Sequence, residues 1–468
     1  MSNPPDNPLD APLPEVETSP LLTDSVTPER LEKISALVAG GAKDAVLAEL
    51  EGEHEADIAK IIGLLPYNHR AEMMRLIGDS LPAEVFAELE DNIRDEVVEF
   101  LDLDTLVSTV QELDSDEAVF VLEDMDEAER EEVLQQIPAP ERLVLQRSLD
   151  FPEESAGRLM RSEYVAVPPD WSVGQTIDYL RESKDLPEEF LEIFIIDTNY
   201  KPLGVVYPSE VLRTNRDVGM QSLIDEDFTL IAADMDEEEI GLLFERYNLL
   251  SVGVIDEAGR LLGVVTADDV FEVITQTAGE DILHLGGVKA DSFTHTIGES
   301  VRGRFSWLFL NLLTAVFASI VIGWFDASIE KMVALAVLMP IVASMGGNAG
   351  TQTLTIAVRS LSQKDLQMVD ARRVILRELR IGLLNGTLFA IVVAVLGYVW
   401  FGSVALGAVL GAAMIVTLVA AALAGILIPL GLHKFEIDPA IASGVFVTTI
   451  TDVVGFFVFL GFATLFLL

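Results

Sequence analysis

The 468-residue chain has no cysteine, which excludes disulfides, thiolate metal sites and cysteine nucleophiles and fits a reducing compartment. Basic residues are scarce. Lys and Arg number 30 against 76 Asp and Glu, giving a formal net charge of −46. Phosphate recognition requires clustered Lys and Arg, so nucleic acid is excluded as a partner and cations become the natural ligands of such a surface. Catalytic signatures are missing too: the sequence holds no His-Glu-x-x-His, no Gly-x-Ser-x-Gly and no Walker loop, and it reads as a non-enzyme. Met1 to Thr27 carry neither a basic n-region nor an apolar h-region but are acidic and Pro-rich. The expectation is a disordered tail over 1–28 and an N-terminus that is not exported.

Half of the residues are nonetheless hydrophobic, and they are segregated. Residues 301–468 hold 10 basic and 8 acidic residues, leaving 20 and 68 for residues 1–300. Over 29–150 apolar positions recur three and four apart, as in Leu31, Ile34, Leu37, Val38 and in Leu101, Leu106, Val110. Leu65-Pro66, Leu81-Pro82 and Ile137-Pro138 interrupt the pattern, because proline disfavours helix at the residue before it. The expectation is an acidic superhelix of short helices. Glu123, Asp124, Asp126, Glu127 and Glu129 read as its solvated face.

Residues 151–277 change to β-branched runs alternating with amphipathic helices, and they repeat. Phe194-Ile195-Ile196-Asp197 with Leu203-Gly204-Val205-Val206 recurs as Val254-Ile255-Asp256 with Leu262-Gly263-Val264-Val265, at a constant offset of 59 residues. Strands are expected at Val165–Val167 and Thr229–Ile231 ahead of each copy. The pair resembles tandem CBS domains, with copies at 151–217 and 218–277. Such pairs commonly regulate a larger protein and often hold adenine nucleotides through a Thr or Ser and an Asp three positions later. Thr266 and Asp269 match that spacing, whereas the first copy has Tyr207 and Glu210, so the resemblance allows ATP at the second copy only. An Asp there also suits a helix N-terminus for structural reasons alone.

Five apolar stretches follow, at about 305–325, 332–357, 381–401, 405–432 and 440–468, each long enough to cross a ~30 Å hydrocarbon core. Arg302, Arg304, Arg359, Lys364, Arg372, Arg373, Arg377, Arg380 and Lys434 fall on one side and Lys331 on the other. The positive-inside rule makes the first side cytoplasmic, with the N-terminus inside and the C-terminus outside. Within these stretches Asp452 is the one ionisable residue. A carboxylate at the bilayer centre costs about 2.5–3.5 kcal/mol on insertion scales, so Asp452 should face a polar path, and its sign argues for cations. The alternative is an Asp bonded to Thr448, Thr449 or Thr451 in helix packing. The second stretch carries Pro340 and the run Gly346-Gly347-Asn348-Ala349-Gly350-Thr351-Gln352, whose glycines either let helices approach closely or free carbonyls to line a cavity.

Gly-Gly-Asn-x-Gly-x-Gln on the second membrane helix and Thr451-Asp452-Val453-Val454-Gly455 on the fifth resemble the MgtE family of magnesium transporters. The resemblance covers nearly the whole chain after the tail. It implies a multidomain fold: an α-helical superhelix, an α/β tandem CBS pair, a connecting helix at 278–300 and a polytopic α-helical membrane domain at 301–468 with five transmembrane helices. It also implies a homodimer in the cell inner membrane, passing Mg2+ through a pore on the two-fold axis that cytosolic magnesium closes. Asp452 carries over as the pore ligand, with Gly347 and Asn348 lining the pore and Asp438 near its cytoplasmic mouth. The regulatory acids carry over as Glu72 and Asp116 in the helical domain, Asp236, Glu238, Asp269 and Glu272 in the second CBS copy, and Glu280 and Asp281 at the connecting helix. Phe120, Asn248 and Thr277 stand where better-known members have acids, and Gly444-Val445 replaces an Asn-Pro pair.

Elementary chemistry is compatible with this. Magnesium prefers octahedral oxygen and gives up water reluctantly. Two Asp452 carboxylates about one axis would hold a largely hydrated ion through outer-sphere contacts, helped by carbonyls and Asn348. The acidic half repels itself until divalent cations bridge it, and compaction of the helical domain, CBS pair and connecting helix (with His284, Lys289 and Asp291) can press on the pore. Rival readings are a cobalt or manganese transporter, a divalent-cation exporter, and a non-transporting magnesium or nucleotide sensor.

Overall fold

The computed structural model describes residues 26–468 except 124, 185, 188, 289–296, 363–370, 436 and 438, and it divides into two units, residues 1–271 and 272–468. Most of the tail, Asp124, Lys364 and the part of the connecting segment that includes Lys289 and Asp291 therefore lie outside the described residues.

The first unit opens with ten short helices: α1 Pro28–Ala39, α2 Lys43–Leu50, α3 Glu55–Leu64, α4 Tyr67–Ile77, α5 Glu84–Ala87, α6 Asp91–Val98, α7 Leu103–Glu112, α8 Ser115–Glu123, α9 Glu127–Gln136 and α10 Ala139–Leu149. The prolines act as expected. Leu65, Leu81 and Ile137 are all extended, each immediately before its proline. Side-chain caps set other starts, with Thr27 accepting from Arg30 N and Asp102 from Thr105 N. The helices bury one continuous core that includes Ile34, Ile61, Met73, Phe86, Val97, Val119 and Leu134. Fully buried Arg70 staples the α3–α4 turn by donating to the carbonyls of Ile62, Gly63 and Leu65 and pairing with Glu96.

A short helix, α11 (Ala156–Leu159), leads into two copies of one unit: β1 Val165–Val167, α12 Val173–Glu182, β2 Ile193–Ile196, β3 Pro202–Val206 and α13 Pro208–Arg213, then β4 Leu230–Ala232, α14 Glu237–Tyr247, β5 Ser251–Ile255, β6 Leu261–Thr266 and α15 Ala267–Leu285. Each sheet has three strands, ordered β1-β2-β3 and β4-β5-β6, with the first pair parallel and the second antiparallel. The offset of 59 persists in the register, which pairs Ile195 with Gly204 and Val254 with Gly263 and shifts after Ile195 in one copy and Val254 in the other. The repeated Asp makes the hairpin turn: Asp197 accepts from the backbone of Asn199 and Lys201, and Asp256 from that of Ala258 and Arg260. Phe194, Val205, Leu261 and Val264 form a shared core between the two sheets.

In the second unit, α16 (Ile297–Gly323), a short α17 (Asp326–Lys331), α18 (Ala334–Ser362), α19 (Ala371–Phe401), α20 (Val404–Lys434) and α21 (Pro439–Phe466) provide five helices long and apolar enough to span a membrane. Helix α20 is the central one, with small residues Gly407, Gly411, Ala421, Ala422 and Gly425 buried along it. Gly407 and Gly411 lie against the Ala394 and Ala390 carbonyls of α19, and Gly425 against the Gly350 carbonyl of α18. Helix α18 is unbroken through Pro340 and the glycine run, and of its glycines Gly346 and Gly350 serve close approach of neighbouring helices. The third helix is longer than its apolar stretch: α19 begins at Ala371, ahead of 381, and carries Glu378, which is 5% exposed. Helix propensity continues beyond the apolar run, so one helix carries Glu378 together with Arg372, Arg373, Arg377 and Arg380.

Candidate functional site

Helices α18 and α21 cross antiparallel with glycines at the contact. A Cβ on Gly346 would lie 3.3 Å from Thr451 Cβ, one on Gly350 would lie 2.5 Å from Val447 Cγ1, and one on Gly455 would lie 3.3 Å from Val342 Cγ1. Each step of four residues up α18 is thus matched by four down α21, which places Asp452 within about one helical turn, ~5 Å in height, of Gly347 and Asn348. Asp452 is half-buried. The hydroxyls of Thr448, Thr449 and Thr451 donate to the carbonyls of Gly444, Val445 and Thr448 in their own helix, at 2.9, 2.6 and 2.9 Å, and are not spent on Asp452.

On α18, a Cβ at Gly347 would meet nothing within 4 Å, and Ser344, Asn348, Thr351, Gln352 and Thr355 are exposed at helical spacing. This is a polar stripe on a membrane-length helix, and polar amides facing hydrocarbon lack partners. At the same crossing Thr417 is fully buried, with Oγ1 unpartnered among the described residues and its Cγ2 2.7 Å from a Gly346 Cβ position. Asp438 lies outside the described residues.

In the first unit the structure gathers some of the expected acids and disperses others. Glu72 is exposed on α4, beside a hollow of about 610 Å3 lined also by Tyr67, Arg75 and Phe100, remote in the chain from the rest. Asp116 and Asp269, 153 positions apart, meet around Arg161. Burial drives the Asp116 carboxyl up. Burial and then the Asp116 charge push both Asp269 and the neighbouring Glu117 up to about 7. Burial works to lower Arg161, yet Asp116 and Asp269 hold it above the usual arginine range.

A second acid group forms where Asp236 caps α14, accepting from Glu238 N and Glu239 N, while Glu237 N donates to Glu154 O. Glu237 is pushed up to about 7 by burial first and then by Glu154, Asp236, Glu123 and Glu238. Glu280 accepts from Gln276 one turn earlier on α15, in the same helix as Glu272 and Asp281. Among the described residues no three or more His, Asp or Glu are arranged to hold a metal ion.

A cleft of about 500 Å3 opens in the repeat, lined among others by Tyr164, Phe190, Phe194, Glu192, Ser251, Thr266 and Asp268. Thr266 and Arg161 both line it, and both engage Asp269: its Oδ2 accepts from Thr266 Oγ1 at 2.7 Å and its Oδ1 lies 3.9 Å from Arg161 Nη2. Sequence reasoning missed Arg161, Glu237, Thr417 and Glu378. Only Glu237 had a local signal, its place in the run Asp236 to Glu239.

These features define a multi-pass membrane protein in which a five-helix bundle with a polar stripe follows an acidic helical domain and a CBS pair. Family models agree along the chain: a divalent cation transporter model, MgtE, matches residues 339–462, the MgtE intracellular N domain matches 53–154, and CBS domains match 156–217 and 220–276. The magnesium transporter MgtE of Bacillus subtilis is 32% identical over 327 residues, covering 69% of this chain and 72% of the relative. That of Thermus thermophilus is 32% identical over 320 residues, 68% and 71% of the two chains. The crystal structure of the cytosolic domain of the Mg2+ channel MgtE in complex with ATP aligns at 25% identity with a TM-score of 0.48, over 52% of this chain and 99% of that one. The chain belongs to the MgtE family.

Proposed function

We propose that the protein passes Mg2+ into the cytosol through a pore on the two-fold axis of a homodimer in the cell inner membrane. The observation that carries this is the polar stripe of α18 standing level with Asp452 of α21, in helices long and apolar enough to span a membrane. In a dimer, two carboxylates and two stripes around one axis offer a hydrated divalent ion oxygen and amide contacts without stripping its water. The basic residues flanking the helices put the N-terminus and the acidic domains in the cytosol and the C-terminus outside.

The pore closes when cytosolic Mg2+ binds the acids of the helical domain, the CBS pair and α15, which otherwise repel one another. Glu237 supports this reading: a carboxyl raised to about 7 by burial first and then by four neighbouring acids gives up its proton more readily once a cation arrives beside it. The division at 29–150, 151–217, 218–277, 278–300 and 301–468 follows the same reading, as does an adenine nucleotide in the CBS cleft beside Thr266. Uptake by purified protein in liposomes tests it, with Mg2+ compared against cobalt and manganese. Accumulation of Mg2+ down its gradient is expected; uptake of the other ions without Mg2+ would sink the assignment.

A further inference from the structure

The acids that the family resemblance makes magnesium ligands, Asp116 of the helical domain and Asp269 of the CBS pair, meet at a guanidinium. Arg161 Nε donates to Asp116 Oδ2 at 3.0 Å, and Nη1 lies 3.2 Å from Asp114 Oδ2. Nη2 lies 3.9 Å from Asp269 Oδ1 and 4.0 Å from Asp268 Oδ2. The side chain is aimed by its backbone, which exchanges two hydrogen bonds with Val264 of β6, at 2.7 and 2.9 Å. The next residue continues the seam, with Ser162 N donating to Ser115 Oγ and that hydroxyl donating to Glu163.

Asp116 is fully buried, and its Oδ1 has no hydrogen-bond partner among the described residues. Its charge is therefore balanced chiefly by this one guanidinium. A divalent ion at the same point needs about six oxygens at ~2.1 Å. It could join Asp116 to Asp269 only by expelling Arg161, which is itself largely enclosed, with a side chain 18% exposed. Exposed Asp114 and Asp268 are screened by solvent and decide little.

We propose that Arg161 is a resident cation at this seam: a covalently tethered guanidinium takes the place of a divalent ion and holds the helical domain on the CBS pair with or without magnesium. The inference deepens the gating reading above and rests on it, leaving magnesium sensing to the acids away from the seam. Arginine suits the role because its charge is permanent and its planar fork reaches several carboxylates at once. Removing it leaves Asp116 buried and uncompensated, which creates a cation site where the parent has none.

The absence of cysteine makes the test direct. Gln111→Cys on α7 and Glu257→Cys in the β5–β6 turn, both exposed positions, supply the only two thiols of the full chain for spin labels. Their separation is read by pulsed electron paramagnetic resonance, with labelled protein diluted by unlabelled protein. The parent is expected to give the same narrow distance distribution in EDTA and in Mg2+. Arg161→Gln should broaden in EDTA, narrow again with Mg2+ and gain about one bound Mn2+ per chain, while Arg161→Lys should stay close to the parent. A parent distribution that broadens in EDTA overturns the proposal, as does Arg161→Gln staying narrow there. Should Arg161→Gln fail to fold, the parent in EDTA decides alone. Ion flux is no part of this readout, so failure of the transport reading appears in liposomes and failure of this one in the label distances.

Discussion

Thr451 of α21 covers Gly346 of α18, so closely that a Cβ on the glycine would stand 3.3 Å from Thr451 Cβ and 2.7 Å from Thr417 Cγ2. Its neighbour Gly347 faces open space. Gly346→Val should therefore destabilise the bundle by about 1–3 kcal/mol through overpacking, while Gly347→Ala leaves the melting temperature in detergent nearly unchanged. Equal effects of the two changes would show that the crossing is not glycine-dependent.

Asp452→Asn keeps the shape of the side chain and removes its charge. Magnesium uptake into liposomes should fall to background while the protein stays folded and dimeric by size-exclusion chromatography. Uptake at the parent rate would remove Asp452 from the pore.

Topology follows from the flanking charges. A reporter fused after Leu468 should behave as external and one inserted within 360–372 as cytosolic. A cytosolic C-terminus would contradict five crossings.

Gating rests on the acids. Replacing Asp236 and Glu238, which lie away from the Arg161 seam, together with their amides should leave the pore conducting at high cytosolic magnesium, and deleting residues 1–150 should act in the same direction. The two should not add, because both remove members of one interface. Closure at the parent magnesium concentration in both variants would reduce these acids to solvated surface.

Glu192 offers a pH test outside the proposed metal ligands. Burial raises its carboxyl, opposed only by the hydrogen bond from Ser251 Oγ at 2.8 Å. A folded-state value above the unfolded one means that the native chain holds the proton more tightly. The stabilisation is then complete below the unfolded value of about 4.3 and is lost as pH rises through the folded value. Glu192→Gln should leave the melting temperature nearly unchanged near pH 4 and raise it relative to the parent near pH 8. A constant difference across that range would mean that Glu192 does not titrate on folding.

Much of the architecture depends on short-range chemistry and was legible in the chain. Proline before α4, α9's end at Ile137-Pro138 and the Asp-led turns after β2 and β5 act within a few residues, so their spacing alone places helices and hairpins. The offset of 59 foretold paired registers, because copies of one pattern make copies of one ladder. Five membrane helices followed from apolar length, and Asp452 stood out because a charge in such a run is costly.

Tertiary structure decided what depends on pairing across the chain. Gly346 and Gly347 are indistinguishable in sequence, and only the crossing of α18 with α21 makes one a contact and the other an open surface. Glu378 lies ahead of the apolar run of α19, and only the packing of the helices buries it. Arg161 gave no local signal at all. Its partner Asp116 is 45 residues earlier and Asp269 is in another domain, and no periodicity or spacing rule reports which charges a fold will bring within 4 Å of each other. Residue type and local spacing set the elements; burial and electrostatic pairing are properties of the packed whole, which is why the join of the helical domain to the CBS pair was settled only in three dimensions.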